Sequence, residues 1–315
     1  MSHDSLGAAH NQSIRYLDLL SRAVALIDER LSESLDGEAL ADAAAMSRYH
    51  FQRIFRAYFG TTVAGYITWR RLQRACELLA SGLTVRDVAF AVGYDSAQAL
   101  AKAMRRELDT TPIAVRAGST PQWQHLFNRR TSAAGNPPPQ HRPLRPRMVD
   151  LPSLHMLAAT ACGMHLGDMT PAAEMAFGEL VPAVRQAGLM PRASDWLAMF
   201  PDVPQGMDDQ QARMVCGVVF DQALKRHTEA SRHAAPAIAL DGTLHWWQIE
   251  SGRYAVFTHC GPHALLRQAW DAIYRDWLTA TGYALRDAPC FEHYASGLRP
   301  ASDSVIRTEL YLPLK

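Results

Sequence analysis

One helical unit occurs twice in the N-terminal half of this chain, and this repeat limits the fold more than any other feature. Residues 40–66 are echoed 49 positions later by residues 89–115. The first copy contains Phe51-Gln52-Arg53-Ile54-Phe55 and the second contains Leu100-Ala101-Lys102-Ala103-Met104, so each places a basic residue between apolar ones. Two copies of a small helical unit with a basic outer face predict a protein that binds two successive grooves of DNA.

The charge of the chain is divided between its two halves. The net charge is only +1, but residues 1–147 contain 19 Lys and Arg against 13 Asp and Glu, whereas residues 148–315 contain 13 against 18. Within residues 47–116 the count is 11 basic against 5 acidic. The repeat therefore carries the basic excess that a polyanion would attract, although a merely solvated basic helical domain is the alternative.

The composition predicts four segments in a chain that is longer than one usual domain. Residues 1–12 are expected to be a disordered N-terminus, and residues 13–118 form one helix after another. Residues 119–146 include a cluster of prolines that cannot continue a helix and predict a stiff linker. Residues 147–315, where strand-like runs return, form the last segment.

Cysteine use and hydropathy bear on the compartment. The five cysteines are scattered and odd in number, which favours a reducing environment over a disulfide framework. No apolar run reaches the roughly 18 residues that a membrane span needs, and the N-terminus lacks the pattern of a signal peptide. The prediction is a cytoplasmic protein without a membrane partner.

A second repeat lies in the C-terminal half, with an offset of 98 residues. Leu151–His165 aligns with Ile249–His263, and helical stretches follow at residues 172–187 and 265–281. Each helix is followed by two strand-like runs. The fold class predicted for the whole chain is therefore multidomain: an all-α double helix-turn-helix domain followed by an α+β domain of two pseudo-symmetric strand-helix-strand-strand repeats.

Both copies of this second repeat end in a Cys-x-x-His string, at Cys162 and His165 and again at Cys260 and His263. Four such ligands would suit tetrahedral zinc, but a glycine turn at the end of a strand, inherited twice, is the simpler interpretation. Glycine-rich phosphate loops and the common hydrolase motifs are absent from the sequence. We therefore predict no metal site, no cofactor, no catalytic residue and no enzymatic activity.

The second helix of each N-terminal unit has a polar face that predicts DNA contacts. In the first unit we expect Arg48, Tyr49, Gln52 and Arg53 to read bases and Arg56 to contact phosphate, because these side chains match base edges and phosphates. In the second unit Ser96 is the predicted N-cap of a helix that exposes Gln98, Lys102 and Arg105. Gln98 is the expected base reader there, with phosphate and shape contacts contributing more than in the first unit.

Three spaced motifs carry a family resemblance in this half. They are the R-x-x-R-A-x-x-L-L of Arg71–Leu79, the A-x-x-V-G-Y of Ala89–Tyr94 and the ending Thr111-Pro112. Together with the doubled unit they resemble the AraC/XylS-type transcription regulators over about residues 14–117. The resemblance implies a double helix-turn-helix domain that binds double-stranded DNA, with RNA polymerase as a further candidate partner. Asp109 departs from the family pattern, where glycine is usual.

The C-terminal half carries a stripe of large apolar side chains. They recur at helical spacing on one face of a predicted helix: Trp270, Ile273, Tyr274, Trp277 and Leu278. Such a stripe is typical of core packing, and a partly open aromatic pocket between the two repeats is the second interpretation. Both remain open on the sequence.

Other strings in this half resemble the gyrase-inhibitor-like effector-binding domains over about residues 146–315. They include Glu250–Phe257, Phe291–Tyr294 and Arg307–Pro313. The resemblance implies a cleft between the repeats that binds a small hydrophobic or cationic aromatic effector, with an acidic residue at its base, which here is Glu292. The residues predicted to bind the ligand are Glu292, Trp246, Tyr254, Trp270, Tyr274, Phe291 and Tyr294.

The sequence leaves three alternatives to this ligand site. Glu292 could point to water or pair with an arginine. The C-terminal domain could bind a protein partner, or it could be a small-molecule hydrolase on the same fold.

Overall fold

The computed structural model describes residues 3–118, 144–165, 168–201, 209–226, 238, 240–278, 280–281, 283–298 and 306–315. The chain divides into two compact units, Ser13–His141 and Arg142–Lys315, with Met1–Gln12 grouped with the second. Most of the linker predicted at residues 119–146 lies outside the described residues. None of the helices in the described ranges is long and apolar enough to cross a membrane.

The described part of the first unit is helical. Its helices are α1 (His3–Glu29), α2 (Gly37–Ala43), α3 (Arg48–Phe59), α4 (Val63–Ala80), α5 (Val85–Ala91), α6 (Ala97–Leu108) and α7 (Pro112–Arg116). The pairs α2/α3 and α5/α6 are the two copies of the repeat, and α4 joins them. Since each residue advances a helix by about 1.5 Å, the 18 residues of α4 span roughly 27 Å.

Hydroxyl side chains determine where most of these helices begin. Thr62, Thr84, Ser96 and Thr111 each accept a hydrogen bond from a backbone N–H in the first turn of α4, α5, α6 and α7. Ser96 caps α6 as predicted. Ser47 occupies the same position before α3 but makes no capping hydrogen bond.

The two repeat copies end in the same way. Gly60 follows α3 with φ +68°, and Asp109 follows α6 with φ +49°, so both occupy the left-handed region. Asp is among the few side chains that visit this region. Asp109 therefore keeps the turn geometry, but glycine, which is usual in the family, would adopt it with less strain.

The first helix overlaps the N-terminal segment 1–12, whose disorder stays a prediction. Helix α1 begins at His3 and so includes most of segment 1–12, which the sequence predicts to be disordered. That segment contains no proline, and adding a residue to an existing helix is far less costly than nucleating one.

The second unit contains an eight-stranded antiparallel sheet. Its strands are β1 (Arg147–Leu151), β2 (Leu154–Cys162), β3 (Ala193–Met199), β4 (Arg213–Phe220), β5 (His245–Ile249), β6 (Gly252–Cys260), β7 (Phe291–His293) and β8 (Arg307–Pro313). Their order across the sheet is β1-β6-β8-β7-β3-β4-β2-β5. The α+β class and the pseudo-symmetric repeats are confirmed.

The strand pairing shows the repeat and one feature that the sequence does not predict. Strands β1 and β2 recur 98 residues later as β5 and β6, matching the predicted offset. However, β1 pairs with β6 and β5 pairs with β2, with Leu151 opposite Gly252 and Leu154 opposite Ile249. The first strand of each repeat, β1 or β5, therefore forms an edge of the sheet beside a strand of the other repeat. The two halves of the sheet meet at its centre, where β3 pairs with β7.

Helices of this unit are α8 (Thr170–Gln186), the short α9 (Ala223–Arg226) and α10 (Leu266–Ala272). A 3-10 turn precedes α10 and a π-helical turn, Ile273–Leu278, follows it. The aromatic stripe predicted for this region is buried throughout. Trp277 packs edge-on against Phe257 with ring centroids 5.0 Å apart, so the core interpretation holds for that side chain.

Candidate functional site

Helix α6 presents the predicted DNA-contacting residues of the second unit on one face. Gln98, Lys102 and Arg105 are exposed at spacings of four and three residues, whereas Leu100 and Met104 on the opposite face are completely buried. Because the N-terminal end of α6 is capped by Ser96, the helix begins at a defined residue. The arrangement presents an amide and two cations together along one helix.

Helix α3 presents its predicted residues less uniformly. Arg53 and Arg56 are half-buried, and the side chains of Arg48 and Tyr49 lie outside the described residues. Gln52 differs from the expectation that it lies on the exposed face, because only 9% of it is exposed. Its amide lies beside Gly37 at the start of α2, so the packing of α2 against α3 covers it.

Arg71 of α4 donates to three backbone carbonyls, two in the segment between α1 and α2 and one at the turn between α5 and α6. Its Nε donates to Leu31 O at 2.8 Å, its Nη2 to Glu33 O at 2.7 Å and its Nη1 to Gly93 O at 3.1 Å. The guanidinium carbon also lies 5.9 Å from the centroid of the Tyr94 ring. Two of the sequence motifs, Arg71–Leu79 and Ala89–Tyr94, therefore meet at one contact that fixes the turn before α6.

Glu292 lies at the centre of the sheet, on the face that the helices cover. It is 3% exposed, and its strand β7 pairs with both β3 and β8. Oε1 accepts a hydrogen bond from Trp270 Nε1 at 2.8 Å, and Oε2 accepts one from the Tyr294 hydroxyl at 3.2 Å. Two of the predicted aromatic residues thus hold the predicted carboxylate.

Further rings extend this cluster. The Tyr294 ring lies 5.9 Å from that of Phe177 on α8 and 5.0 Å from that of His263, which precedes α10. Burial, and secondarily the Glu292 charge, raises the pKa of Tyr294 well above its usual value, so its hydroxyl remains a donor. Burial and the same carboxylate also raise the pKa of Cys216. Tyr274 lies beside Trp270, with ring centroids 6.1 Å apart.

The remaining predicted ligand residues lie elsewhere. Phe291 and Tyr254 face the opposite side of the sheet, where they join an aromatic core with Tyr311. Trp246 is on the edge strand β5, with its ring 6.4 Å from that of Phe220. The structure therefore brings together Glu292, Trp270, Tyr274 and Tyr294, but not the other three.

A second group of charged residues was not found by sequence analysis. His293 is buried between two carboxylates, with Nε2 3.2 Å from Asp195 Oδ1 and Nδ1 3.3 Å from Glu309 Oε2. Burial alone would lower the pKa of His293, but the two carboxylates outweigh it and raise that pKa. The His293 contact in turn lowers the pKa of Glu309 to about 2. Because consecutive strand residues face opposite sides of a sheet, the sequence does indicate that His293 and Glu292 lie on different faces. It gives no sign that Asp195 and Glu309 contact His293.

The Cys-x-x-His strings are ends of strands. Strands β2 and β6 end at Cys162 and Cys260, and the glycine after each has a positive φ, +115° at Gly163 and +150° at Gly261. In the described ranges, no three His, Cys, Asp or Glu side chains are grouped so that they could hold a metal ion.

Family models match both halves of the chain. A helix-turn-helix domain model matches residues 40–118, and a model of the GyrI-like small molecule binding domain matches residues 145–315, more than half of the chain. The chain belongs to the GyrI-like family. Its N-terminal part is an AraC-type helix-turn-helix DNA-binding domain, so this GyrI-like protein is a DNA-binding transcription regulator with a small-molecule effector domain.

Similar proteins agree with this assignment. The Regulatory protein SoxS of Escherichia coli (strain K12) is 33% identical over 95 residues, which are 30% of this chain and 89% of SoxS. The Right origin-binding protein of the same strain is 22% identical over 309 residues, covering 92% of this chain and 95% of that protein. The first of these relatives is named as a regulatory protein and the second as a protein that binds an origin.

Two of the solved structures similar to the chain cover one part of it each. The DNA-binding domain of AdpA, in complex with a target DNA, is 36% identical with a TM-score of 0.30 and covers 33% of this GyrI-like chain and 96% of its own. SAV2435 bound to tetraphenylphosphonium is 16% identical with a TM-score of 0.33 and covers 55% of this chain and 94% of its own.

Proposed function

We propose that this regulator responds to a small hydrophobic cation that binds over Glu292, in the cleft between the repeats. The observation that carries the proposal is the buried carboxylate held by Trp270 and Tyr294 among aromatic rings. A carboxylate buried at this depth attracts positive charge more strongly than one in water, because the local dielectric constant is lower. A cation would be attracted by the carboxylate and by each ring that it faces, at about 0.5 to 2 kcal/mol per ring.

Aromatic side chains from two helices support this proposal. Trp270 of α10 donates to Glu292, and Phe177 of α8 lies beside Tyr294. Because the rings of Phe177 and Tyr294 meet at a steep interplanar angle of 61°, one ring offers its edge to the other and not its face.

Binding of tetraphenylphosphonium to the full-length protein tests this proposal. We expect it to raise the melting temperature of the wild type, and uncharged triphenylphosphine oxide to raise it much less. Glu292→Gln keeps the size of the side chain but removes the charge, so the dissociation constant should increase about tenfold or more. The matched control is Glu174→Gln, because Glu174 is exposed on α8.

The charge of Glu292 is the critical variable. Equal affinity of wild type and Glu292→Gln for tetraphenylphosphonium would exclude this carboxylate from ligand binding. Equal affinity of the wild type for the cation and the uncharged analogue would exclude the cationic class.

We further propose that α6 contacts DNA through Gln98, Lys102 and Arg105, with Arg53 and Arg56 of α3 contributing from the first unit. The three residues of α6 are exposed on one face, whereas Gln52 of α3 is buried and is left out of the contact set. Arg48 and Tyr49 stay predicted contacts. Since a phosphate contact changes the salt dependence and a base contact changes specificity, the two roles can be separated.

Gel-shift titrations with genomic fragments at several salt concentrations test this set. Lys102→Ala and Arg105→Ala should each weaken binding and reduce the slope of log affinity against log salt by about 0.9 per lost phosphate contact. Gln98→Ala should instead reduce the preference for the best fragment over random DNA. Arg22→Ala, at an exposed position on α1, is the control. Unchanged affinity and slope in both cationic variants would remove α6 from the interface.

A further inference from the structure

The sheet face opposite Glu292 carries a row of charged side chains across three neighbouring strands. Strand β7 pairs with β3 through His293 opposite Leu197 and with β8 through His293 opposite Glu309. Asp195 lies two residues before Leu197 on β3 and therefore faces the same side. The resulting row, Asp195–His293–Glu309, is almost completely buried.

Each oxygen of the Glu309 carboxylate already has a partner. Oε2 accepts hydrogen bonds from His293 Nδ1 at 3.3 Å and from the Tyr311 hydroxyl at 3.1 Å. Oε1 lies 3.3 Å from Arg307 Nη2 and 3.7 Å from Arg147 Nη2. Each arginine thus contacts Glu309 through one nitrogen atom, at a distance longer than that of a strong charge-assisted hydrogen bond. Most of the five N–H donors of each guanidinium are therefore not used by Glu309.

These two arginines stand at a cavity of about 290 Å³. Its lining includes Arg147, Arg307, His293, Glu309 and Tyr311, with Leu224 as an apolar contact. The arginine side chains are 53% and 55% exposed, so they reach solvent, whereas His293 is 2% exposed. The cavity therefore has a cationic mouth and a buried polar floor, and its volume is at the lower end of the range for small-molecule sites.

The charges around the cavity favour an anion. The two carboxylate neighbours of His293 raise the pKa of its imidazole, which favours the charged form. Three positive groups, Arg147, Arg307 and His293, then face two negative ones, Asp195 and Glu309. With His293 charged, these five groups have a net charge of +1, and the two guanidinium groups are the ones that reach solvent.

We propose that this cavity is a second ligand site, on the opposite sheet face from Glu292, that binds a small organic oxyanion between Arg147 and Arg307. Planar guanidinium groups suit both carboxylates and phosphate monoesters, which share this chemistry. The apolar body of the ligand would contact Leu224 and the Tyr311 ring. Adjacent residues of β7, Glu292 and His293, would then face a cationic and an anionic ligand on opposite sides of one strand.

Calorimetric titration of the full-length protein with benzoate, phenyl phosphate and uncharged benzyl alcohol tests this site. We expect one or both oxyanions to bind and the alcohol not to bind, and the tighter oxyanion identifies the ligand class. Arg147→Gln and Arg307→Gln should each weaken oxyanion binding about tenfold or more. Arg185→Gln, at an exposed position on α8, is the matched control and should bind as the wild type does.

Two results would overturn the inference. One is the absence of binding by both oxyanions at millimolar concentration. The other is oxyanion binding that the double variant Arg147→Gln/Arg307→Gln retains. Circular dichroism of each variant checks that the fold is intact, and it should be intact because both arginine side chains are more than half exposed. Binding of tetraphenylphosphonium is measured in parallel, so failure of this site is distinguishable from failure of the Glu292 site.

Discussion

Replacement of Arg71 by lysine should destabilise the DNA-binding unit although it keeps the charge. The Arg71 guanidinium donates to the carbonyl oxygens of Leu31, Glu33 and Gly93 in three different directions. A lysine ammonium can reach one of these carbonyls, because it is a compact group on a flexible stem. Two hydrogen bonds are therefore lost, each worth about 1 to 1.5 kcal/mol, and the expected loss is roughly 2 to 3 kcal/mol.

Urea unfolding followed by far-ultraviolet circular dichroism measures this loss, since α1–α7 supply much of the helical signal. The matched control is Arg74→Lys on the same helix. Arg74 is 56% exposed and makes one ion pair, with Glu77 at 2.9 Å, so its replacement should cost less than about 0.5 kcal/mol. We also expect Arg71→Lys to weaken DNA binding, because Arg71 fixes the turn before α6.

Equal stability of Arg71→Lys and Arg74→Lys would refute this reasoning. It would mean that the three carbonyls find water as readily as they find the guanidinium. A loss of stability without any loss of DNA affinity would show that the Gly93 turn is positioned by other contacts.

Three further predictions concern the turns and the charged row. Asp109→Gly should stabilise the first unit by up to about 1 kcal/mol in urea unfolding, because glycine adopts the φ of +49° without strain. Gly93→Ala should destabilise the first unit by at least about 2 kcal/mol, because φ is +81° and an added Cβ would lie 2.7 Å from Ser32 O. Unchanged stability of this variant would contradict the prediction. The stability contributed by Glu309, whose pKa is lowered to about 2, should be present above its unfolded pKa of about 4.3 and lost as pH falls below that value. The pKa of His293 is raised, so its contribution to stability should be complete below about pH 6.5 and lost at higher pH. The melting temperature measured against pH should therefore pass through a maximum. His293→Gln should flatten this maximum.

Local sequence patterns predicted much of the architecture. The repeat at residues 40–66 and 89–115 gave both helix pairs, and Ser96 gave the start of α6. The offset of 98 residues placed β2 and β6 correctly. These features depend on residues close together in sequence, where periodicity and capping act directly.

The candidate site was predicted only in part. Glu292 and Tyr294 lie in a string that resembles one family, whereas Trp270 lies in the apolar stripe of a predicted helix, and the structure brings these three together. Tyr254 and Phe291 were placed in the same pocket, but strand alternation directs them to the other face. The helical spacing of α3 predicts Gln52 at the surface, because spacing within one helix does not show that the start of α2 covers it.

The sequence by itself determined the helices, the two repeats, the charge separation between halves and the residue types at the cleft. Only the tertiary structure decided that β1 and β5 exchange between repeats, that Arg71 ties the turn at Gly93, and that His293 lies between Asp195 and Glu309. The physical reason is that side chains in a helix interact with neighbours three or four positions away in sequence. A sheet, in contrast, pairs strands that are distant in sequence. Pairing partners such as His293 and Glu309 therefore become visible only when the register is known.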